Sequence, residues 1–154
     1  MTYSDMNHTE AGRILLKKAL AEYGIRDYEI KYGEYGKPYT DGIHFSISHS
    51  GRLAAVMLSN CECGIDVQEI RSVSEKTIQR VCNGRELEKI NGASDKMLCF
   101  CKIWAAKESH VKMTGEGMRG DFKNIPYSVR IMRIGEYITA ISPKQRQSIK
   151  WVRI

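Results

Sequence analysis

Three strand-like segments follow one another between residues 43 and 68, and they limit what this chain can fold into. Apolar and polar residues alternate from Ile43 to Ser48, an apolar run "LAAVML" follows, and "CGIDVQ" alternates again. A period of two is typical of β-strands, and a cluster of turn residues between two strands predicts a hairpin. We therefore predict a β-hairpin with its tip at His49-Ser50-Gly51, and a third strand in which Asp66 is exposed beside it.

Helical periodicity occurs on both sides of these strands. Apolar residues recur at helical spacing from Thr9 to Tyr23, and the spacings Ser72 to Glu75 and Asn83 to Glu86 are those of capping boxes. The longest predicted helix begins after a Ser94 cap and ends at Gly115.

Further strand-like segments predict how the remaining chain is built. Residues 28–32 alternate as in a strand, the glycines and proline of "YGEYGKPY" predict a loop, and "YSVRIMRI", "EYITAIS" and "SIKWVRI" predict C-terminal strands. Since no linker or repeat interrupts the pattern, we predict one α+β domain spanning residues 1–154.

Composition and charge narrow the class of protein. Apolar residues make up 42% of the chain, and 24 basic residues against 18 acidic ones give a net charge of +6, which favours an anionic partner.

A basic segment followed by an apolar core is absent from the N-terminus, and no run of about 18 apolar residues occurs. Five cysteines in such a chain indicate reduced thiols. We predict a cytoplasmic protein that does not bind membranes.

Four polar residues are candidates for chemistry, and each has an ordinary interpretation. Asp66 is either a solvated strand residue or a metal ligand, and His49 is commonly just a polar turn residue. Glu108 and Lys112 are spaced to form a helix ion pair. Taken singly, none of these residues indicates a function.

Together with neighbouring motifs, these residues resemble a known family. "AGRILLKKAL", "YGKPY" and "FSISHSG" precede "GID", and the glutamate of "WAAKESHVK" follows 42 residues after Asp66. This order resembles the 4'-phosphopantetheinyl transferase superfamily, in its surfactin-synthetase-activator (Sfp-type) branch, over residues 10 to 120. The resemblance implies an antiparallel sheet packed against a long helix, with an abbreviated N-terminal half because only 36 residues precede Lys37.

The resemblance also implies an activity. Enzymes of this family transfer the 4'-phosphopantetheine arm of coenzyme A to a serine of an apo acyl or peptidyl carrier protein, which is acidic, and release adenosine 3',5'-bisphosphate. The reaction uses Mg²⁺, which prefers one or two carboxylates together with phosphate oxygens. The chain length suits a monomer or a homodimer.

Site residues are carried over from the matching motifs. Asp66, Glu108 and Lys112 are implied as catalytic, with Asp66 and Glu108 holding the metal and Gln68 or a water as third ligand. Lys112 is the better candidate for holding the transferred phosphate, since it shares a helix face with Glu108. The residues implied to bind coenzyme A are Lys37, Pro38, Ser48, His49, Ser50 and Lys107.

Several alternatives stay open at this stage. The base is either Glu108 or a water bound to magnesium, and Glu86 either orients that water or only caps a helix. Lys107 is as readily a solvated helix lysine. A non-catalytic protein that binds coenzyme A or carrier proteins is the second candidate function. Nucleic-acid binding is disfavoured, because neither an aromatic RNA-binding run nor an arginine-rich recognition helix is present.

Overall fold

The structure is a computed structural model that describes residues 8–117 and 121–143. The helices are α1 (His8–Glu22), α2 (Glu75–Val81), α3 (Gly84–Asn91) and α4 (Lys96–Thr114), and Phe122–Asn124 form a short 3₁₀ helix. The strands are β1 (Lys31–Tyr32), β2 (Pro38–Tyr39), β3 (His44–Ser50), β4 (Leu53–Ser59), β5 (Cys63–Glu69), β6 (Arg130–Ile134) and β7 (Tyr137–Pro143). The architecture is therefore α+β, as predicted.

All strand pairs are antiparallel. β1 pairs with β2, β3 pairs with β4, and the third sheet has the order β5-β7-β6. In the register of this sheet Asp66 lies opposite Ala140, and in the hairpin Ser48 lies opposite Ala55. β5 is thus an edge strand of its sheet, and β3 runs beside its open edge.

Serine hydroxyls join β3 to β5. The Oγ atoms of Ser46, Ser48 and Ser50 accept hydrogen bonds from the backbone N–H groups of Ile65, Val67 and Glu69, at 3.1, 3.0 and 3.0 Å. These bonds satisfy N–H donors that would otherwise be unpaired at a buried strand edge. An unpaired buried N–H group would lower the stability of the fold. We call these three contacts the serine ladder.

Helix α4 packs directly on β5, and Gly64 is the residue that permits this approach. A Cβ atom at position 64 would lie 1.9 Å from the backbone oxygen of Ser109 and 2.6 Å from the backbone nitrogen of Met113. No side chain fits at these distances. The residue type therefore sets how close the helix comes to the strand that carries Asp66.

The buried apolar residues form two clusters. The larger one joins α2, α3, α4 and β7, and its members are Ile78, Val81, Cys82, Ile90, Phe100, Cys101, Ile103, Ala105, Ile138 and Ala140. The smaller one places α1 against β3 through Leu16, Leu20, Ile43 and Phe45. The first cluster fixes α4, and the second fixes the hairpin.

The predicted helices are confirmed, with small shifts at two starts. Helix α1 covers the predicted segment except its last residue, Tyr23, and the capping box of Asn83 and Glu86 is present. The cap of α2 is Ser74, whose hydroxyl accepts from the N–H of Thr77, and not Ser72. The cap of α4 is Asp95, not Ser94, because the Asp95 carboxylate accepts from the N–H of Leu98.

The hairpin is confirmed, but its tip lies further along the chain than predicted. Strand pairing continues to Ser50 and Leu53, so that only Gly51 and Arg52 form the turn. Gly51 has a φ of 53°, a value that glycine adopts without steric cost at the first position of a two-residue turn. His49 and Ser50 therefore belong to β3, where Ser50 is held by the serine ladder.

The segment before the hairpin also differs from the prediction. Only Lys31–Tyr32 of the predicted strand is paired, and its partner Pro38–Tyr39 lies inside the predicted loop. The predicted strands of the C-terminal third correspond to β6 and β7, while "SIKWVRI" lies outside the described residues. Within residues 8–117 and 121–143, none of the helices is both long enough and apolar enough to cross a membrane.

Replacing Gly64 with alanine tests the contact between α4 and β5. The added Cβ meets backbone atoms, which cannot rotate away, so we expect the free energy of unfolding to fall by about 3 kcal/mol. Gly84→Ala is the matched control, since a Cβ there meets nothing within 4 Å and alanine favours a helix. Chemical denaturation of both variants gives the values. Equal stability of the two variants would contradict the assigned contact.

Candidate active site

Asp66 is buried at the contact between β5 and α4. Its side chain was expected to be exposed, but the residue is only 5% accessible because α4 covers this face of the strand. Its Oδ1 atom accepts hydrogen bonds from Lys112 Nζ at 2.8 Å and from Ser48 Oγ at 2.9 Å. Its Oδ2 atom is buried and has no hydrogen-bond partner among the described residues. One half of the carboxylate is thus fixed and the other half is left without a partner.

The two carboxylates of the candidate site, Asp66 and Glu108, interact electrostatically. Burial raises the pKa of Asp66, while the charge of Lys112 opposes this rise. Burial also raises the pKa of Glu108, and the charge of Asp66 raises it further. A cation bound between the two carboxylates would remove this unfavourable interaction.

The oxygen atoms at this position fit a hard divalent cation. Mg²⁺ is held in proteins by one or two carboxylates and keeps other positions for water or phosphate oxygens. Asp66, with its unpaired Oδ2, and Glu108, whose pKa responds to the Asp66 charge, are the carboxylates that could contribute, and Gln68 lies half-buried two residues after Asp66 on the same strand face. Among the described residues, no group of three or more His, Cys, Asp and Glu side chains is arranged as a metal site. The predicted metal would therefore depend on two carboxylates.

Lys112 forms its ion pair with Asp66 on β5, and not with Glu108 on its own helix. Its ammonium group bonds Asp66 Oδ1 and, at 2.9 Å, Ser48 Oγ, so it is paired across the helix–strand contact. Its side chain is 30% exposed and lines a cavity of about 240 Å³. A lysine ammonium has three N–H donors, so the described contacts leave one for a ligand in this cavity.

Two cavities lie side by side along β3. The first contains Lys112 and the loop around Lys37, and the second, of about 220 Å³, contains Arg13, Tyr32 and His49. Both cavities are lined by Pro38, Phe45 and Ile47, so they are neighbours on the same surface. Together they form a basic groove, one wall of which is Lys112, the lysine bound to Asp66.

Lys37 connects its loop to the end of α4. Its Nζ atom donates to the backbone oxygen of Met113 at 2.6 Å, and its aliphatic stem lies against Gly115. Burial lowers the pKa of the Lys37 ammonium. The group remains at the wall of the first cavity, where Pro38 is also placed. The structure thus brings both predicted loop residues to the groove.

Arg13 is a candidate that the sequence analysis missed. It projects from α1 into the second cavity, which His49 also lines. The available signal was a basic residue on an amphipathic helix close to the family motifs, but Lys17 and Lys18 share that property. Only the packing of α1 on β3 distinguishes Arg13 from them.

The serines of β3 differ in their access to the groove. Ser46 lines the first cavity, although the sequence analysis did not select it. Ser48 and Ser50 line neither cavity, and their hydroxyls accept hydrogen bonds from β5. The two serines predicted to bind coenzyme A therefore hold the strand edge in this structure.

Lys107 has to be removed from the predicted set of ligand-binding residues. Its side chain is fully buried, and its ammonium donates to Glu86 Oε2 at 2.7 Å and to the backbone oxygens of Val81 and Lys123 at 2.8 and 2.6 Å. All three of its N–H donors are therefore used inside the protein. It is also not the solvated helix lysine of the alternative interpretation.

Glu86 is the partner of this buried lysine and the N3 residue of α3. It completes the capping box with Asn83, and its Oε1 atom accepts from the hydroxyl of Tyr127 at 3.1 Å. The capping interpretation of Glu86 is confirmed. The ion pair joins α3 to α4 and anchors the segment that follows the 3₁₀ helix.

Comparisons with known proteins agree with these motifs. The family profile of the 4'-phosphopantetheinyl transferase superfamily matches residues 62–150. The 4'-phosphopantetheinyl transferase gsp of Aneurinibacillus migulanus is 32% identical over 113 residues, which cover 70% of this chain and 48% of that protein. The 4'-phosphopantetheinyl transferase Sfp of Bacillus subtilis (strain 168) is 26% identical over 140 residues, covering 86% of this chain and 62% of Sfp.

A solved structure is also similar. The holo-[acyl-carrier-protein] synthase (AcpS) of Thermotoga maritima matches with a TM-score of 0.41 and 19% identity, covering 52% of this chain and 60% of that one. The chain spans about half the length of the first curated relatives it matches, 48% and 54%.

Replacing Lys107 with methionine tests whether the lysine is structural. The buried Glu86 would lose its counter-charge, so we expect the free energy of unfolding to fall by about 3 to 5 kcal/mol. Adding Glu86→Gln should recover part of this loss, because a neutral amide leaves no unpaired buried charge. Lys102→Met, at an exposed position of the same helix, is the control. A loss no larger than that of the control would contradict the buried ion pair.

Proposed function

Because the chain belongs to the 4'-phosphopantetheinyl transferase superfamily, we propose that it transfers the 4'-phosphopantetheine arm of coenzyme A to a serine hydroxyl of an apo carrier protein. One observation carries the proposal within the site: buried Asp66 keeps one oxygen, Oδ2, without a partner among the described residues, while its other oxygen accepts from Lys112, which lines the first cavity of the basic groove.

The groove suits coenzyme A, which carries a diphosphate and a 3'-phosphate. Lys37, Arg13 and His49 line its two cavities and supply positive charge or N–H donors for these anions. Pro38 lines both cavities, and its ring holds its own φ near one value. The diphosphate would then reach the wall that Lys112 forms.

The reaction forms one P–O bond and breaks another. The serine oxygen of the carrier attacks the phosphorus that bears the pantetheine arm, and the bond to the other phosphate breaks, releasing adenosine 3',5'-bisphosphate. In the proposal, Glu108 accepts the serine proton, and the free N–H of Lys112 binds an oxygen of the transferred phosphate. Both groups lie on one face of α4, which holds them at a constant separation.

Asp66 and Glu108 would hold Mg²⁺, with Gln68 as a weaker ligand. When bound, the ion supplies positive charge that stabilises the diphosphate as negative charge develops on the leaving phosphate. The residues of the chain orient the substrate around this position.

The proposed partner is an acidic carrier protein. The net charge of +6 favours such a partner, because opposite charges steer association. The cysteines of the described residues are all free thiols, which supports the predicted cytoplasmic location.

Transfer is tested by incubating the protein with coenzyme A, Mg²⁺ and a panel of apo carrier proteins. We expect at least one carrier to gain the mass of one phosphopantetheine arm, and Asp66→Ala and Glu108→Ala to abolish this gain because each removes one of two carboxylates. Glu88→Ala, at an exposed acidic residue of α3, should retain transfer. Near-native turnover of a folded Asp66→Ala variant would contradict the proposal, and coenzyme A binding without any mass gain would favour the non-catalytic alternative.

Arg13→Ala and His49→Ala test whether the groove binds coenzyme A. If these side chains bind coenzyme A before the reaction, the Michaelis constant for coenzyme A should rise by about tenfold or more while turnover falls less, since a hydrogen bond to a charged group contributes about 1.5 to 3 kcal/mol. Lys17→Ala is the control, because it removes a charge from the same helix but lines neither cavity. Steady-state kinetics that show losses only in turnover would instead indicate a role in the transition state.

The proposed role of Gln68 as a metal ligand is tested by introducing a negative charge at this position. Gln68→Glu would place a third carboxylate on the face of β5 that carries Asp66, so the Mg²⁺ concentration giving half the maximal rate should fall severalfold. Gln68→Leu, which removes the oxygen ligand, should raise it. Metal-activation curves of both variants that superimpose on that of the parent would remove Gln68 from the site.

A further inference from the structure

Strand β4 has one edge that no other described strand covers. Among the described residues it pairs only with β3, and a two-residue turn joins the two strands. Because Leu53 and Ser50 flank this turn, they form a hydrogen-bonded pair, and residues along β4 then face β3 and the open edge alternately. The residues whose N–H and C=O groups point to the open edge are Ala54, Val56 and Leu58.

β4 lacks the features that protect an unpaired strand edge. Its sequence "LAAVMLS" contains no charged residue, proline or glycine, and its one-to-one register with β3 has no bulge. Natural edge strands carry such features because free N–H and C=O groups bind other strands. Leu53–Leu58 are all half-buried. An apolar edge of this kind is typical of a strand that has a neighbour on both sides.

Helix α1 extends over this open edge. Val56 and Leu58 of β4 pack against the cluster that α1 forms with β3. Leu16 and Leu20 form the buried row of the helix, and Arg13 lies on the side of that row that borders the second cavity. The opposite side carries half-buried apolar residues at a spacing of four, and these are Ala11, Leu15 and Ala19. The space beneath this apolar row fits one additional strand.

The chain that follows β7 starts at the matching end of β4. Residues 60–62 connect Ser59, the end of β4, to Cys63, and Cys63 lies opposite Pro143, the last described residue. Residues 144–147 span about 13 Å when extended. The strand-like segment "SIKWVRI", residues 148–154, comes next and has seven residues, as β4 does. Since it begins near Ser59, it runs antiparallel to β4.

We propose that residues 148–154 pair antiparallel with the open edge of β4, beneath α1. In this arrangement Ile149 and Trp151 face α1, on the side that carries Val56 and Leu58. On β4 the residues that face α1 are those whose backbone points to the open edge, so the N–H groups of Ile149 and Trp151 point to β4. The two-stranded sheet becomes three-stranded, and the added strand supports α1. The inference does not depend on the transferase activity.

Charge and packing favour this segment over other occupants of the edge. β4 carries no basic residue that would attract an acidic partner. A second copy of β4 would bring a second α1 to the same face of the sheet, since antiparallel strands related by a two-fold axis share their faces. Because α1 lies mainly over β4, the two helices would be about 5 Å apart, the spacing of neighbouring strands, whereas packed helices need about 8 to 10 Å.

β6 offers a less suitable edge. It is also uncovered among the described strands, but it carries Arg130 and Arg133. These charges would repel Lys150 and Arg153 of the segment. β6 also begins opposite Ile141, near the end of β7, so the segment would have to run parallel to it, which is a slightly less stable pairing. β4 has neither disadvantage.

Nuclear magnetic resonance of the full chain tests the pairing, without coenzyme A or a carrier protein. We expect nuclear Overhauser effects between backbone protons of residues 148–154 and 53–59. The edge amides of Ala54, Val56 and Leu58 should exchange with solvent as slowly, within about tenfold, as those of Ala55 and Met57, which bond to β3. Edge amides that exchange at the rate of unpaired amides, while Ala55 and Met57 are protected, overturn the proposal.

Proline variants test which N–H groups of the segment face β4. Trp151→Pro removes an N–H group that points to β4, so exchange of the Val56 amide should become at least about tenfold faster while Ala55 stays protected. Trp151→Val keeps the N–H group and Lys150→Pro removes one that points away, so both should retain the protection of Val56. Equal effects of Trp151→Pro and Lys150→Pro overturn the assigned face and the pairing beneath α1.

Other occupants give different results, and each overturns the proposal. Doubling of the mass in light scattering, with Overhauser effects between β4 strands of two copies, identifies a second copy as the neighbour. Overhauser effects from β4 to residues 1–7 identify the N-terminal segment. If Trp151→Pro does not fold, the Overhauser effects and amide exchange of the parent chain decide the question alone.

Discussion

The contact between α4 and β5 at Gly64 is the constraint on which the rest of the site depends. Without a side chain at this position, the helix backbone lies against the strand, and Asp66, two residues further along, is covered by the same helix. Lys112 can then reach Asp66, and Glu108 lies near enough for its pKa to respond to the Asp66 charge. A larger residue would separate the elements that supply the proposed metal ligands and the lysine.

One residue of the serine ladder, Ser48, also contacts the candidate site. A backbone-to-backbone pair would satisfy the edge of β5, but a hydroxyl leaves a proton or a lone pair for another partner. At Ser48 this additional capacity connects the strand edge to Asp66 and Lys112. One side chain thus satisfies a donor at the edge of β5 and also contacts two residues of the candidate site.

Lys107 and Asp66 each belong to an ion pair, but they differ in whether all of their hydrogen-bonding groups have partners. Lys107 uses all its donors on Glu86 and two backbone oxygens, and nothing remains for a ligand. Asp66 is also buried, but one of its oxygens has no partner among the described residues. An unpaired buried carboxylate oxygen is unfavourable, so Asp66 carries hydrogen-bonding capacity that the described residues do not use.

The sequence by itself determined the order and type of the main elements and the Asn83 capping box, because periodicity and caps are local properties of the chain. Asp66 and Glu108 became candidates through the resemblance of their motifs to the family. It did not determine that Asp66 is buried, that His49 lies in a strand, that Lys107 is inaccessible or that Arg13 enters the groove. Burial and hydrogen-bond partners depend on which elements pack together, and residues far apart in the chain supply them: α4 covers Asp66, Glu86 binds Lys107, and α1 brings Arg13 to β3. Only the tertiary structure could decide these contacts.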